Sequence, residues 1–214
     1  MFKIIKLDDI SISVNNVTYN IEQFKNNGYF DDIYFSRSFA MIGNDYILDL
    51  SQRSSWNTKL SYQIHFENND YNNFNRNNKI NYNENMYTLL KYEEGDFFKK
   101  HIDTQLNNKH AYTCLIFCNF ASFKGGDLIL SDKDNNFETV IHTSNFDGIF
   151  MVIFSIDLYH EVLPVTEGKR YVFKKPLFVD HNVNTYGCEE NILCDGYDPC
   201  NGYDLFGDGH SGDY

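Results

Sequence analysis

Apolar positions in this chain come in short runs rather than in long helical stripes. From Met86 onward the runs are Met86–Tyr92, Tyr112–Phe120, Asp127–Leu130, Phe150–Ile156 and Arg170–Val179. Several are rich in β-branched and aromatic residues, and Gly95, Gly125, Gly126, Gly148 and Gly168 punctuate them. Runs of this length, with no helical pattern of ~10–15 residues between them, predict an antiparallel sandwich or barrel rather than parallel βαβ units. Upstream, short apolar stretches such as Phe2–Leu7 and Tyr46–Leu50 lie among Asn, Tyr and Asp. Helices are expected around Val17–Asn26 and near Gly95–Lys100. The segment Asn68–Asn85 (NNDYNNFNRNNKINYNEN) is nearly low-complexity and too polar to add much to a core, so it is expected as a loop flanking the site. The fold class is thus mainly β (α+β), with N-terminal helices. Three parts are expected: an N-terminal extension over 1–85 packing on the core, the core itself over 86–180, and a tail over 187–214.

Composition narrows the partners. The chain has 214 residues, of which 42% are hydrophobic and 17% aromatic, which suits one domain with a sizeable core and a pocket. Its net charge of −12 argues against a bare phosphate backbone as partner, because affinity there comes from Lys and Arg neutralising phosphates. The start, MFKIIKLDDISISV, lacks a basic end followed by a long apolar stretch, and no segment approaches the ~20 apolar residues of a bilayer span. A soluble, intracellular (cytoplasmic) protein is the expectation. Five cysteines without an export signal favour reduced thiols over a disulfide framework.

The sharpest local signal is His101-Ile102-Asp103. Along an extended chain, residues two apart project to the same side, so an imidazole nitrogen and a carboxylate oxygen can form two corners of a metal face. His160, after the apolar run Phe150–Ile156 and so near a strand end, is the candidate for the third corner. Two His and one carboxylate on one face of a metal leave other positions open, the arrangement that suits non-haem Fe(II) oxygenases. Alone, the tripeptide is weak. Ten residues after His160 comes Arg170, and a turn at Glu167–Gly168 is expected to fold its strand back antiparallel to that of His160. A buried guanidinium there needs an anion, and the distal carboxylate of a 2-oxo acid offers a planar two-point partner.

With these residues in place a family can be named. The run from Tyr87 through Tyr92, Gly95 and Phe98 to His101, Asp103 and Thr104 resembles the first half of the prolyl 4-hydroxylase-like 2-oxoglutarate/Fe(II) dioxygenases. Gly125-Gly126-Asp127-Leu128 resembles their central turn, and His160-Glu161-Val162-Leu163-Pro164-Val165 with Gly168 and Arg170 resembles their closing motif. The resemblance covers residues 86–179 and implies a double-stranded β-helix of the jelly-roll or cupin kind. It implies Fe(II) held by His101, Asp103 and His160, 2-oxoglutarate as cosubstrate anchored by Arg170, O₂, and possible use of ascorbate. It further implies hydroxylation of a C–H bond in a protein, peptide or small-molecule substrate, with succinate and CO₂ released. Two positions depart from the pattern. Val172 stands where many relatives carry a small hydroxyl residue, and Leu115-Ile116-Phe117 offers no tyrosine. Tyr92, Tyr112 and Thr113 are the candidates to supply the missing hydroxyl to the cosubstrate.

Other features have blander readings. His65, His110, His142 and His181 read as surface or loop residues, and Cys114 and Cys118 as buried, inert thiols. The stretch Gly187–Tyr214 holds seven acidic residues and no Lys or Arg, an acidic, Gly-rich tail. Its Cys188, Cys194 and Cys200 recur too widely for the tight pairs of structural zinc sites. Two further functional readings stand beside the oxygenase. One is a non-catalytic iron and 2-oxoglutarate sensor, which fits the missing hydroxyls. The other is a nucleic-acid demethylase, against which the acidic balance and Pro176, standing where such relatives carry a second Arg, both count.

Overall fold

The computed structural model describes residues 1–29, 34–37, 40–42, 45–47, 53–80, 86–103, 110–119, 122–134 and 136–179. The first half runs β1 (Phe2–Leu7), β2 (Ser11–Val14), β3 (Val17–Asn20), α1 (Ile21–Asn26), β4 (Phe35–Arg37), β5 (Ala40–Ile42), β6 (Asp45–Ile47), β7 (Arg53–Ser54), β8 (Trp56–His65) and α2 (Asn69–Asn77). The second half runs β9 (Met86–Tyr92), β10 (Phe97–His101), β11 (His110–Phe117), β12 (Phe123–Gly125), β13 (Leu128–Ser131) and β14 (Glu138–Ile141). It closes with β15 (Ile149–Ser155), β16 (Tyr159–Val162), β17 (Val165–Gly168) and β18 (Arg170–Phe178). Residues 1–182 form one compact unit.

Two antiparallel sheets carry the architecture. The large one has the order β1-β15-β11-β18-β9-β8-β2-β3, with β4 also on β8; the small one is β14-β13-β16-β10-β7. Leu90, Leu115, Phe150, Val152 and Val172 from the large sheet share one core cluster with Leu128, Leu130 and Val162 from the small one. This sandwich of two sheets is compatible with a double-stranded β-helix.

The central strands of the large sheet, β15, β11 and β18, are buried on both faces. On β15, Phe150, Val152 and Phe154 enter the core between the sheets, while Ile149, Met151 and Ile153 join a second cluster on the outer face. On β18, Arg170, Val172 and Lys174 line the cavity between the sheets while Tyr171 and Phe173 face outward. This explains why these segments read as continuous apolar runs instead of alternating ones. The N-terminal third covers the outer face: Ile5, Leu7, Ile12, Phe24, Tyr62, Tyr71 and Phe74 all belong to that second cluster.

Several local expectations are corrected. Val17–Asn20 is not helical but a strand, hairpinned to β2 across Asn15 and Asn16, both at positive φ (50° and 64°). Two consecutive left-handed Asn residues are the signature of a tight hairpin turn. The helix starts only at Ile21, where Asn20 and Gln23 form a reciprocal capping box. Gly95–Lys100 is not helical: the chain turns at Gly95, at φ +84°, and enters strand β10 at Phe97. Asn69–Asn77, expected as loop, is helix α2, capped by the Asn68 side chain on the Tyr71 amide. Tyr71 and Phe74, three residues apart, form its buried stripe. Residues 81–85 of that expected loop, and the whole tail over 187–214, lie outside the described residues.

The expected hairpin between the strands of His160 and Arg170 also does not form. β17 pairs with β12, and β18 crosses to the large sheet between β9 and β11. Among the described residues, no helix is long and apolar enough to cross a membrane. Cys114 and Cys118 are free and buried, and burial pushes the Cys114 thiol up to about 12.

If α2 seals the outer face, Phe74→Ala should cost about 3 kcal/mol, within the usual range for emptying a buried aromatic site. Urea unfolding monitored by circular dichroism should show it as a lower midpoint at unchanged slope.

Candidate metal centre and anion pocket

Pairing of β10 with β16 sets His101 directly opposite His160. Their rings lie 4.1 Å apart between centroids, inclined by 52°. Asp103, just past the end of β10, brings Oδ1 to 3.8 Å from His160 Nε2. One ligand atom from each of His101, Asp103 and His160 lies within 4.8 Å of the others. The sequence-predicted triad is therefore brought together.

The protonation states suit a metal. His101 Nδ1 lies 2.7 Å from the Lys99 carbonyl and His160 Nδ1 3.4 Å from that of Leu158, so each Nδ1–H donates to backbone and each Nε2 keeps its lone pair. His101 Nε2 is buried with no hydrogen-bond partner. Burial, reinforced by His160, pushes the His101 imidazole down to about 3. Burial also takes His160 down to about 4, against the opposing pull of Asp103. Burial alone raises the Asp103 carboxyl, but Lys174, His160 and Thr113 outweigh it and hold it well below the usual range. At neutral pH the set is two neutral imidazoles and one carboxylate, a donor set that fits a divalent ion without first shedding a proton.

The carboxylate is gripped on both oxygens. Thr113 Oγ1 donates to Oδ2, and Lys174 Nζ lies 2.8 Å from Oδ1. The first ring is held from behind by a stack: Phe98 lies 3.5 Å from the His101 imidazole at 21°, and the Arg53 guanidinium sits 4.5 Å from the Phe98 ring centre. Arg53 donates to Ser55 Oγ at 2.7 Å. Its neighbour Ser54 donates to buried Asp96, which also receives Arg37 at 2.9 Å, so β7 is tied to the turn that leads into β10.

Arg170 is fully buried in the same cavity, facing the triad from the opposite sheet rather than from a strand beside His160. Its Nε and both terminal nitrogens have no hydrogen-bond partner, and its guanidinium lies 4.9 Å from the ring centres of Tyr92 and Phe117. Burial pushes it down to about 10, opposed by Tyr92 and Asp127, so the group is cationic at neutral pH. A buried cation with three unmet donors is costly unless an anion meets it, so the pocket fits a carboxylate. Gly126 makes room for its stem: a Cβ there, at φ +66°, would come 2.8 Å from Arg170 Cδ.

The other sequence candidates separate. Tyr92 lines the cavity beside Arg170. Thr113 lines it too, but its hydroxyl is engaged on Asp103. Tyr112 is corrected: next to Thr113 on β11, it faces the outer side, where its hydroxyl donates to Asn78 Oδ1 at 2.8 Å and its ring meets Phe74. His142 is exposed and paired with Asp127, as befits a surface residue. Lys174, Arg53 and Phe98 were not foreseen. A count of two and four from Arg170 along an extended strand would have flagged Lys174, whereas nothing local marks Arg53.

Residues 87–175 match the model of the 2OG-Fe(II) oxygenase superfamily. The matched stretch holds the triad and Arg170. Among solved structures, the chain is similar to a prolyl hydroxylase from Trichoplax adhaerens in complex with a hypoxia inducible factor peptide fragment. That pair shares 18% identity over 74% of this chain and 76% of the other, at a TM-score of 0.50, a likeness of fold. A Pseudomonas putida prolyl-4-hydroxylase aligns at 12% identity over 72% and 98% of the two chains, with a TM-score of 0.43. No curated protein matches the chain.

Gly126→Ala should displace the Arg170 side chain and strain the turn, lowering the thermal unfolding midpoint and weakening 2-oxoglutarate binding. Isothermal titration beside a thermal melt checks both.

Proposed function

We propose that this chain is an Fe(II)- and 2-oxoglutarate-dependent dioxygenase that hydroxylates a C–H bond, in a prolyl or other residue of a protein substrate. The observation that carries this reading is a His-Asp-His set sharing one cavity with a fully buried, hydrogen-bond-starved arginine. His101, Asp103 and His160 would hold the metal. When bound, Fe(II) and 2-oxoglutarate together supply the oxidation that places one atom of O₂ in the substrate and the other in succinate, with loss of CO₂.

The protein's own part is orientation and exclusion of water. The Lys99 and Leu158 carbonyls fix both imidazoles in the tautomer that presents Nε2. Thr113 keeps the Asp103 carboxylate turned toward them. Arg170 would pair with the distal carboxylate of 2-oxoglutarate, with Tyr92 beside it in the place of the hydroxyl that Val172 lacks. Leu90, Leu115, Leu128 and Val162 wall the cavity with apolar surface. The likeness in fold to a prolyl hydroxylase in complex with a peptide fragment supports a peptidyl substrate.

Aerobic incubation with Fe(II), 2-oxoglutarate and ascorbate should release succinate above background, and His101→Ala and His160→Ala should abolish it. Tight iron binding with no succinate under any peptide would instead favour the non-catalytic sensor. Arg170→Ala should raise the 2-oxoglutarate requirement about 10- to 100-fold, the equivalent of ~1.5–3 kcal/mol for hydrogen bonds to a charged group, with iron affinity much less changed. Equal loss of both would remove Arg170 from this role.

A further inference from the structure

We infer that Lys174 makes the binding of metal and of 2-oxo acid depend on each other, by occupying the metal-facing carboxylate oxygen until an anion enters the cavity. The inference rests on reading His101, Asp103 and His160 as a metal set, and it goes beyond that reading by assigning a control to the site.

Three observations carry it. The Lys174 ammonium sits 2.8 Å from Asp103 Oδ1, the same oxygen that faces His160 Nε2 at 3.8 Å. Since Oδ2 is taken by Thr113, both oxygens of the carboxylate are engaged before any metal arrives. A divalent ion approaching the three donors therefore meets a positive charge on an oxygen it needs.

The second observation is the charge of the cavity. Arg53, Arg170 and Lys174 all line it, and among the described residues Asp103 is the one carboxylate in contact with any of them. Asp127 acts on Arg170 from a distance and is itself paired with His142. A metal dication entering alone raises an already positive interior, at separations where charges in a protein interact strongly. A 2-oxo acid with two carboxylates cancels that added charge. Metal and anion therefore enter the cavity more easily together than either does alone.

The third is placement. Arg170, Val172 and Lys174 project from the same face of β18, so Lys174 and the fully buried Arg170 reach into one cavity from one strand. The Lys174 side chain is 32% exposed, which leaves its flexible stem room to turn from Asp103 to an anion bound beside it. A plain structural ion pair would also account for the contact at 2.8 Å. A pair that stays fixed on Asp103 would not, however, make the tightening by 2-oxoglutarate depend on Lys174.

The test is direct binding, with Mn(II) as a redox-stable probe, measured by calorimetry with and without saturating 2-oxoglutarate. In the wild-type protein 2-oxoglutarate should tighten Mn(II) binding by about 10- to 100-fold, a coupling of ordinary size. Lys174→Met should bind Mn(II) alone several-fold more tightly than wild type, and the tightening by 2-oxoglutarate should shrink several-fold. Lys174→Gln, measured beside it, should behave alike, and a thermal melt of each variant confirms that it is folded. Folded variants whose affinity for Mn(II) alone is unchanged or weaker overturn the inference while leaving the metal set intact. A wild-type protein that binds no Mn(II), with or without 2-oxoglutarate, overturns the metal set itself.

Discussion

The site depends on one register: His101 of β10 opposite His160 of β16. Side chains alternate along a strand, so a slip of one residue would turn one imidazole out of the cavity and leave the other facing it alone. The register is held by the rest of the small sheet. β13 pairs on the far side of β16, setting Leu130 against His160, and Phe98 pairs with both Val162 and Arg53. Hydrophobic burial of Leu128, Leu130 and Val162 against the large sheet thus does indirect chemical work, because it keeps two imidazole nitrogens aimed at one point.

The opposite sheet contributes in a different currency. It supplies none of the triad's three side chains but grips Asp103 and places cations around it, with Arg170 and Lys174 on one strand. An acidic chain of net charge −12 has gathered positive side chains at the cavity that holds the buried Arg170. Global charge therefore says little about what this pocket attracts, because low-dielectric walls make the local arrangement decisive.

Much of the site was legible because its elements are short-range or follow simple periodicity. His101 and Asp103 are two residues apart, and His160 follows while Arg170 opens an apolar run that announces a strand. The antiparallel class followed from the spacing of those runs. What could not be read was set by tertiary pairing. The crossing of β18 to the other sheet depends on β17 pairing with β12, a contact between Phe123 and Gly168 that no local pattern encodes. The face taken by Tyr112 is fixed by where β11 lies in its sheet, and Arg53 reaches the triad only by stacking through Phe98. Helix α2 was hidden by composition: eleven polar residues mask Tyr71 and Phe74 among the fourteen of the Asn68–Asn81 stretch only if the spacing of the two rings is ignored.

The double-faced burial of the large sheet also bears on how such a chain can be cut or inherited. The stretch that matches the oxygenase superfamily supplies strands whose outward residues, among them Leu89, Cys114, Ile116, Met151 and Phe173, are covered by segments from before it. Excised at those limits, the matched stretch would present a broad oily wall to solvent. The amino-terminal third is thus no detachable appendage but half of a shared hydrophobic seam.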